Sequence, residues 1–227
     1  MSLWTRITEA VSALAKGEGL SRVFEHLRTP PERRVAFAIA IIALGAKMAK
    51  ADGQVTRNEV SAFREVFQIA PEDEAGAARV FNLARQDVAG FEEYAARIKT
   101  MFGRKTGALS DLMEGLFHIA MADGHYHPDE DLFLERVAEI FELPEREFQR
   151  MRCRFVPDVA PDPYLVLGAS PDDSLAALRK RYRAMVRETH PDRMMARGVP
   201  AEATRLAEKR MVDINRAWDE IQAARGA

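Results

Sequence analysis

The chain has 227 residues, of which 47% are apolar and 30% charged, and its formal net charge is −2. That balance excludes an intrinsically disordered chain and provides no global field to draw nucleic acid or anionic lipid. The single cysteine, Cys153, excludes an internal disulfide framework and a multi-cysteine zinc site, and it fits a reducing compartment.

The opening stretch, MSLWTRITEA, lacks a basic region leading into an apolar one, so no signal peptide is expected. Trp4, Ile7, Val11 and Leu14 follow helical spacing and predict a short amphipathic helix. Gly and Pro breaks follow it, so residues 1–32 are assigned to this helix and a linker. The longest apolar run, residues 35–46, is twelve residues long. A membrane span needs about 20, so the run predicts a buried core helix and the cytoplasm as the address.

From residue 33 to 155 the pattern is helix–turn–helix throughout, and an internal repeat lies within it. Residues 47–69 align with 118–140 at a constant offset of 71, matching Ala51 with Ala122, Asp52 with Asp123, Gly53 with Gly124 and Glu59 with Glu130. Each copy predicts a helix ended by Gly in a left-handed conformation, a turn, and a helix whose first turn carries the Glu. Two such hairpins with connecting helices make a pseudo-symmetric bundle.

Calcium is excluded from these turns. Its early ligand positions fall on Met48 and Lys50 in one copy and on Ile119 and Met121 in the other. The second copy is rich in histidine, and His125, His127, Asp123 and Glu130 are the residues that would hold a metal. They form no closed ligand set of known spacing, so no metal site and no cofactor is expected. On its twin Ala-Asp-Gly-x-x-x-x-x-Glu turns, 33–155 resembles the TerB-like domains named after tellurite resistance. The resemblance implies a helical interaction domain associated with stress and the cell envelope.

Residues 155–163, FVPDVAPDP, hold three prolines in nine residues and mark a boundary, with a linker over 156–161. The linker predicts two separately folding units, the second being 162–227. Within that unit, PYLVLG reads as one helical turn stopped by Gly168. In SPDD, Ser170 reads as an N-cap, Pro171 as the first helical residue and Asp173 as the closing member of a capping box. The helix so begun would run to about Glu188, with an inward stripe of Leu175, Leu178, Tyr182, Met185 and Thr189. Arg179, Arg183 and Arg187 recur every fourth residue and form a ridge roughly 120° from that stripe, with Lys180 beside it. Pro191 ends the helix. An extended loop, RMMARGVPAEA, then leads to a helix starting after Pro200 with Ala207, Met211, Ile214, Trp218 and Ile221 inward. The two long helices pack antiparallel, and His190 and Asp192 project from the loop at their shared tip.

This second unit resembles the J domain of the DnaJ co-chaperone family. The resemblance rests on Tyr164 and Leu167, the basic helix with Tyr182, the His190-Pro191-Asp192 turn, and INRAW in the last helix. Thr189 stands where an aromatic residue or His is common, and Trp218 where Tyr is usual. A TerB-like domain followed by a J domain is the arrangement of DjlA-type proteins. Those commonly carry an N-terminal membrane anchor; none is visible here, so peripheral contact with the inner membrane is the most that is expected.

The resemblance implies an all-α protein that is not an enzyme. It would stimulate ATP hydrolysis by a DnaK-type chaperone through His190, Pro191, Asp192, Arg179, Lys180, Arg183, Arg187 and Arg193. Its clients would be unfolded or envelope-associated proteins, selected by the TerB-like part. A catalytic reading of His190 with Asp192 lacks a pocket, a nucleophile and an oxyanion site. A nucleic-acid reading lacks aromatic interleaving. The alternative is a metal-responsive, envelope-associated stress protein in which the J domain is accessory.

Overall fold

The computed structural model describes residues 3–12, 20, 23, 32–51, 63, 66–86, 90–103, 106–156 and 161–225, and among them the chain is all-α with no strand. The N-terminal helix α1 (Leu3–Ser12) buries Leu3, Trp4, Ile7 and Val11, the predicted face; Leu14 lies outside the described residues. Helix α2 (Glu32–Ala51) holds the long apolar run, and residues 35–44 are at most 1% exposed. An α-helix apolar on every side must be surrounded. Helices α1, α3 (Glu74–Gln86), α4 (Phe91–Phe102), α5 (Thr106–Ala120) and α6 (Pro128–Ile140) all pack on α2. Among the described residues no helix is long and apolar enough to cross a membrane.

Two glycines set how closely α2 and α5 approach. A Cβ on Gly115 would stand 2.5 Å from Ile41 Cδ1, and one on Gly45 would stand 3.1 Å from Ile119 Cδ1. Each isoleucine thus fills the gap left by the glycine of the facing helix. We expect Gly115→Ala to destabilise the chain by about 1–3 kcal/mol through overpacking. Urea denaturation checks this, and Ile41→Val in the same chain is expected to recover part of the loss.

The second copy of the repeat behaves as its pattern predicts. Gly124 has φ +84 and ends the 3-10 turn Met121–Asp123 that extends α5. The Glu130 carboxylate accepts the His127 N–H at 3.0 Å at the start of α6. Asp52, Gly53 and Glu59 of the first copy lie outside the described residues. Helix α6 ends with Glu142 at φ +55, a position usually held by glycine. Helix α7 (Glu145–Phe155) closes the bundle and stacks Phe155 on Phe117 at 5.3 Å.

Beyond 157–160, which lie outside the described residues, come α8 (Pro163–Val166), α9 (Leu175–Thr189), α10 (Pro191–Arg197) and α11 (Thr204–Ala224). Val166, Leu167, Leu178, Ile214, Trp218 and Ile221 form a second, smaller core. Two local readings change here. The Ser170-Asp173 hydrogen bond does form, at 2.9 Å, but it closes a turn. Helix α9 starts later, with Ser174 accepting the Ala177 N–H as its N-cap. The segment expected as an extended loop is instead α10 followed by the 3-10 turn Ala201–Ala203. Its physical reason is burial: Met194, Val199, Ala203, Leu206 and Ala207 are at most 2% exposed and belong to the core of the first bundle. Residues on both sides of 156–161 therefore share one core.

Candidate functional site

The geometry of the tip follows from the proline. A residue before proline is disfavoured in the α region, and His190 accordingly adopts φ −55 and ψ 132, ending α9 and starting α10 at one residue. Pro191 takes the first helical position, where a missing N–H costs nothing. The His190 carbonyl accepts from Arg193 N at 2.9 Å and Met194 N at 3.1 Å. The imidazole completes the cap, since Nδ1 accepts the Asp192 N–H at 3.2 Å. The side chains of His190 and Asp192 are 59% and 78% exposed, whereas Thr189 beneath them is buried.

Helix α9 presents two faces. Inward, Leu178 is fully buried, Leu175, Tyr182 and Met185 pack against the second core, and Tyr182 stacks on Trp218 at 5.0 Å with its hydroxyl donating to Asn215 at 3.1 Å. Outward, Arg179, Lys180, Arg183 and Arg187 are exposed, and among the described residues none of these four has an ion-pair partner. A row of cations without local counter-charges keeps its field available to an approaching anionic surface. Arg193 is different, because its guanidinium donates to Glu188 at 2.9 Å across the turn. No group of titratable side chains closes around His190 to make a catalytic pocket among the described residues; His190 and Asp192 are open to solvent.

Behind the tip lies a charged cluster that the sequence pattern did not reveal. Asp111 and Glu114, three residues apart on the largely apolar α5, are 0% and 1% exposed. Arg197 of α10 donates to both Asp111 oxygens, at 2.9 and 3.3 Å. Arg210 of α11 reaches Asp111 at 2.9 Å and also bonds Glu114. Arg154 of α7 joins Glu114 at 2.9 Å and Asp213 at 2.7 Å. Burial pushes Asp111 above the ordinary carboxylate range, incompletely offset by Arg210 and Arg197. Burial acts the same way on Glu114, but attraction to Arg154 and Arg210, with hydrogen bonds from both, outweighs it and holds Glu114 well below that range. The usable signal was TGALSDLMEGLFHIA, two acids on an apolar helix that must face cations supplied by distant sequence.

The histidine-rich turn uses its polar groups on itself. Asp123 accepts the His125 N–H at 2.9 Å and stands 3.6 Å from His127 Nε2, while Glu130 caps α6 as described. Among the described residues no three His, Cys, Asp or Glu side chains are grouped to hold a metal ion.

Residues 38–153 match the family model described as tellurite resistance protein TerB. The chain is also similar to curated proteins called co-chaperone protein DjlA. That of Vibrio parahaemolyticus is 26% identical, over 86% of this chain and 80% of its own length. That of Photobacterium profundum is 25% identical, over 93% and 86%. That of Escherichia coli is 21% identical, over 100% and 99%. No solved structure matches the chain.

Proposed function

Since the chain belongs to the TerB family through residues 38–153 and resembles DjlA co-chaperones along most of its length, we propose that it is a co-chaperone stimulating ATP hydrolysis by a DnaK-type chaperone. The observation that carries the reading is the His190-Pro191-Asp192 turn, exposed at the end of a helix whose outward face is a row of unneutralised cations. The mechanism is binding rather than bond chemistry. Arg179, Lys180, Arg183 and Arg187 dock against an acidic surface of the chaperone, and long-range attraction speeds the encounter. Asp192 engages a cation on the chaperone, while Pro191 and the His190 ring fix the direction in which the carboxylate points. That contact favours the chaperone state that hydrolyses ATP and closes on its client. ATP sits on the partner, so this chain needs no nucleotide pocket and no cofactor. The TerB domain selects the place or the client, and the cytoplasm is the proposed address.

The test is single-turnover ATP hydrolysis by a DnaK-type chaperone with increasing amounts of the chain. A hydrolysis rate that rises with the chain and saturates supports the reading; a rate that never changes overturns it. The ridge makes a separate prediction. Arg183→Glu is expected to raise the half-saturating concentration about tenfold at low ionic strength. The difference should shrink above about 0.1 M salt, where screening acts within about 10 Å. Titrations at two salt concentrations check it, and an unaltered, salt-independent midpoint would make the ridge a merely solvated face.

A further inference from the structure

We infer that Arg197 is a positioning residue for the His190-Pro191-Asp192 turn, and that through Asp111 it sets the turn's orientation on the TerB bundle. The inference rests on the co-chaperone reading given above and adds to it a coupling between the two parts of the chain.

The geometry is that of a three-way tie. Arg197 closes α10, just beyond the turn, while Glu188 lies in the last turn of α9, just before it. One guanidinium reaches both Glu188 and the bundle. Its Nη1 donates to the Glu188 carbonyl at 3.2 Å and stands 3.5 Å from the Glu188 carboxylate. Its Nε and Nη2 donate to the two oxygens of Asp111 on α5. Both segments entering the turn are thus fixed to one another and to a helix of the TerB domain. Planar, bidentate pairing of this kind sets direction as well as distance.

Burial separates this contact from surface decoration. The Arg197 side chain is 20% exposed and Asp111 1%, so neither charge trades its partner freely for water. Gly107, on the first turn of α5, makes the room. A Cβ there would stand 2.7 Å from Arg197 Cδ. At the other end of the residue, Gly198 ends α10 at φ +107 and lies against Arg33 and Phe102 of the bundle. Helix α10 is therefore seated on the TerB domain rather than on the small core of its own unit.

The remaining cations of the cluster do a different job. Arg154 and Arg210 fasten α7 and α11 around Glu114, and Arg210 also shares Asp111 with Arg197, but neither reaches Glu188. Among the described residues Arg197 alone joins Glu188 to the bundle. Of the three groups in the tie, Glu188 shares the exposed tip with His190 and Asp192, whereas Arg197 and Asp111 lie behind it. Loss of Arg197 leaves the ridge intact for docking and releases the turn whose carboxylate must be aimed.

The experiment uses the full chain in the single-turnover assay, with Arg197→Met, Arg197→Lys, Gly107→Ala and Asp192→Asn. Gly107→Ala keeps every charge and displaces only the Arg197 chain, so it serves where Arg197→Met leaves Asp111 too exposed to an apolar neighbour to fold. Misplacing a reacting group by about 1 Å can cost two orders of magnitude; here we expect the maximal stimulated rate to fall on the order of tenfold in Arg197→Met and Gly107→Ala. The half-saturating concentration, set by the ridge, is expected to stay within about twofold. Arg197→Lys keeps the charge but not the fork and is expected to recover part of the rate. A purely structural role would move rate, midpoint and thermal stability together, and that result would overturn the inference. So would full maximal stimulation by folded Arg197→Met and Gly107→Ala chains. If the parent stimulates and Asp192→Asn does not, such a result removes the positioning role alone. If the parent gives no stimulation at all, the co-chaperone reading falls and the tie has no turn to aim.

Discussion

Asp192→Asn is expected to abolish stimulation of the partner's ATP hydrolysis while the helical circular dichroism and thermal midpoint of the chain stay unchanged. The two halves of this expectation have separate grounds. The Asp192 side chain is 78% exposed and, among the described residues, accepts no hydrogen bond that holds α10 in place. Its backbone N–H, which the His190 ring caps, survives the substitution. Stability effects at such surface positions are usually within about 0.5 kcal/mol. The proposed function, in contrast, has a full negative charge meeting a cation on the chaperone, and removing one partner of a charge pair buried on binding costs about 2–5 kcal/mol. A stimulated rate returning to the basal value checks it; an Asp192→Asn chain as active as the parent would remove the proposed contact.

The largest effect on stability is expected at Glu114. Glu114→Gln keeps the shape and removes the charge, leaving Arg154 with Asp213 and Arg210 with Asp111 as remaining counter-charges. Breaking a buried pair typically costs about 3–5 kcal/mol, because the charge left behind is still out of water. Urea denaturation of parent and variant measures this. The pH dependence has a definite sign. Glu114 is held below its ordinary value near 4.5 by Arg154 and Arg210, so its contribution is complete above that pH and is lost as pH falls toward its folded value. Asp111, raised by burial, works in the opposite sense and favours the folded state when protonated. The part of the stability due to Glu114 is therefore expected to be lost below about pH 4.5, so the gap between parent and Glu114→Gln should narrow there. A variant as stable as the parent at neutral pH would show that the cluster is neutral in its net effect.

Local patterns were legible in the sequence where one helix answers to one core. Trp4, Ile7 and Val11, the run of residues 35–46, and Ala207, Ile214, Trp218 and Ile221 face inward as their spacing requires, whereas Met211 of that last stripe is only half-buried. The likeness to DjlA-type co-chaperones, read from the Ala-Asp-Gly turns and the His190-Pro191-Asp192 motif, extends over most of the chain. What the spacing could not reveal depends on partners far apart in sequence. Ser170-Pro171-Asp172-Asp173 satisfies a helix-start pattern and makes its hydrogen bond, yet the chain turns again before Ser174 caps the helix. Met194, Val199 and Ala203 lack a regular period of their own, and their burial comes from the core of the first bundle. Asp111 and Glu114 drew no attention in the sequence because the arginines that neutralise them come from α7, α10 and α11.

The shared core also bears on how the molecule is made. Leu3 and Trp4 belong to the same apolar cluster as Leu206 and Ala207, so an early segment of this sequence and a late one complete a single core. Domains usually fold in order as they emerge, at roughly 5–20 residues per second, but this bundle cannot close its own interior in that order. Until α10 and the start of α11 arrive, the sites that receive Met194, Val199 and Ala203 stay open to water. Contacts so distant along the chain delay the final step of folding. During translation the nascent bundle is therefore expected to display apolar surface of the kind that holding chaperones bind.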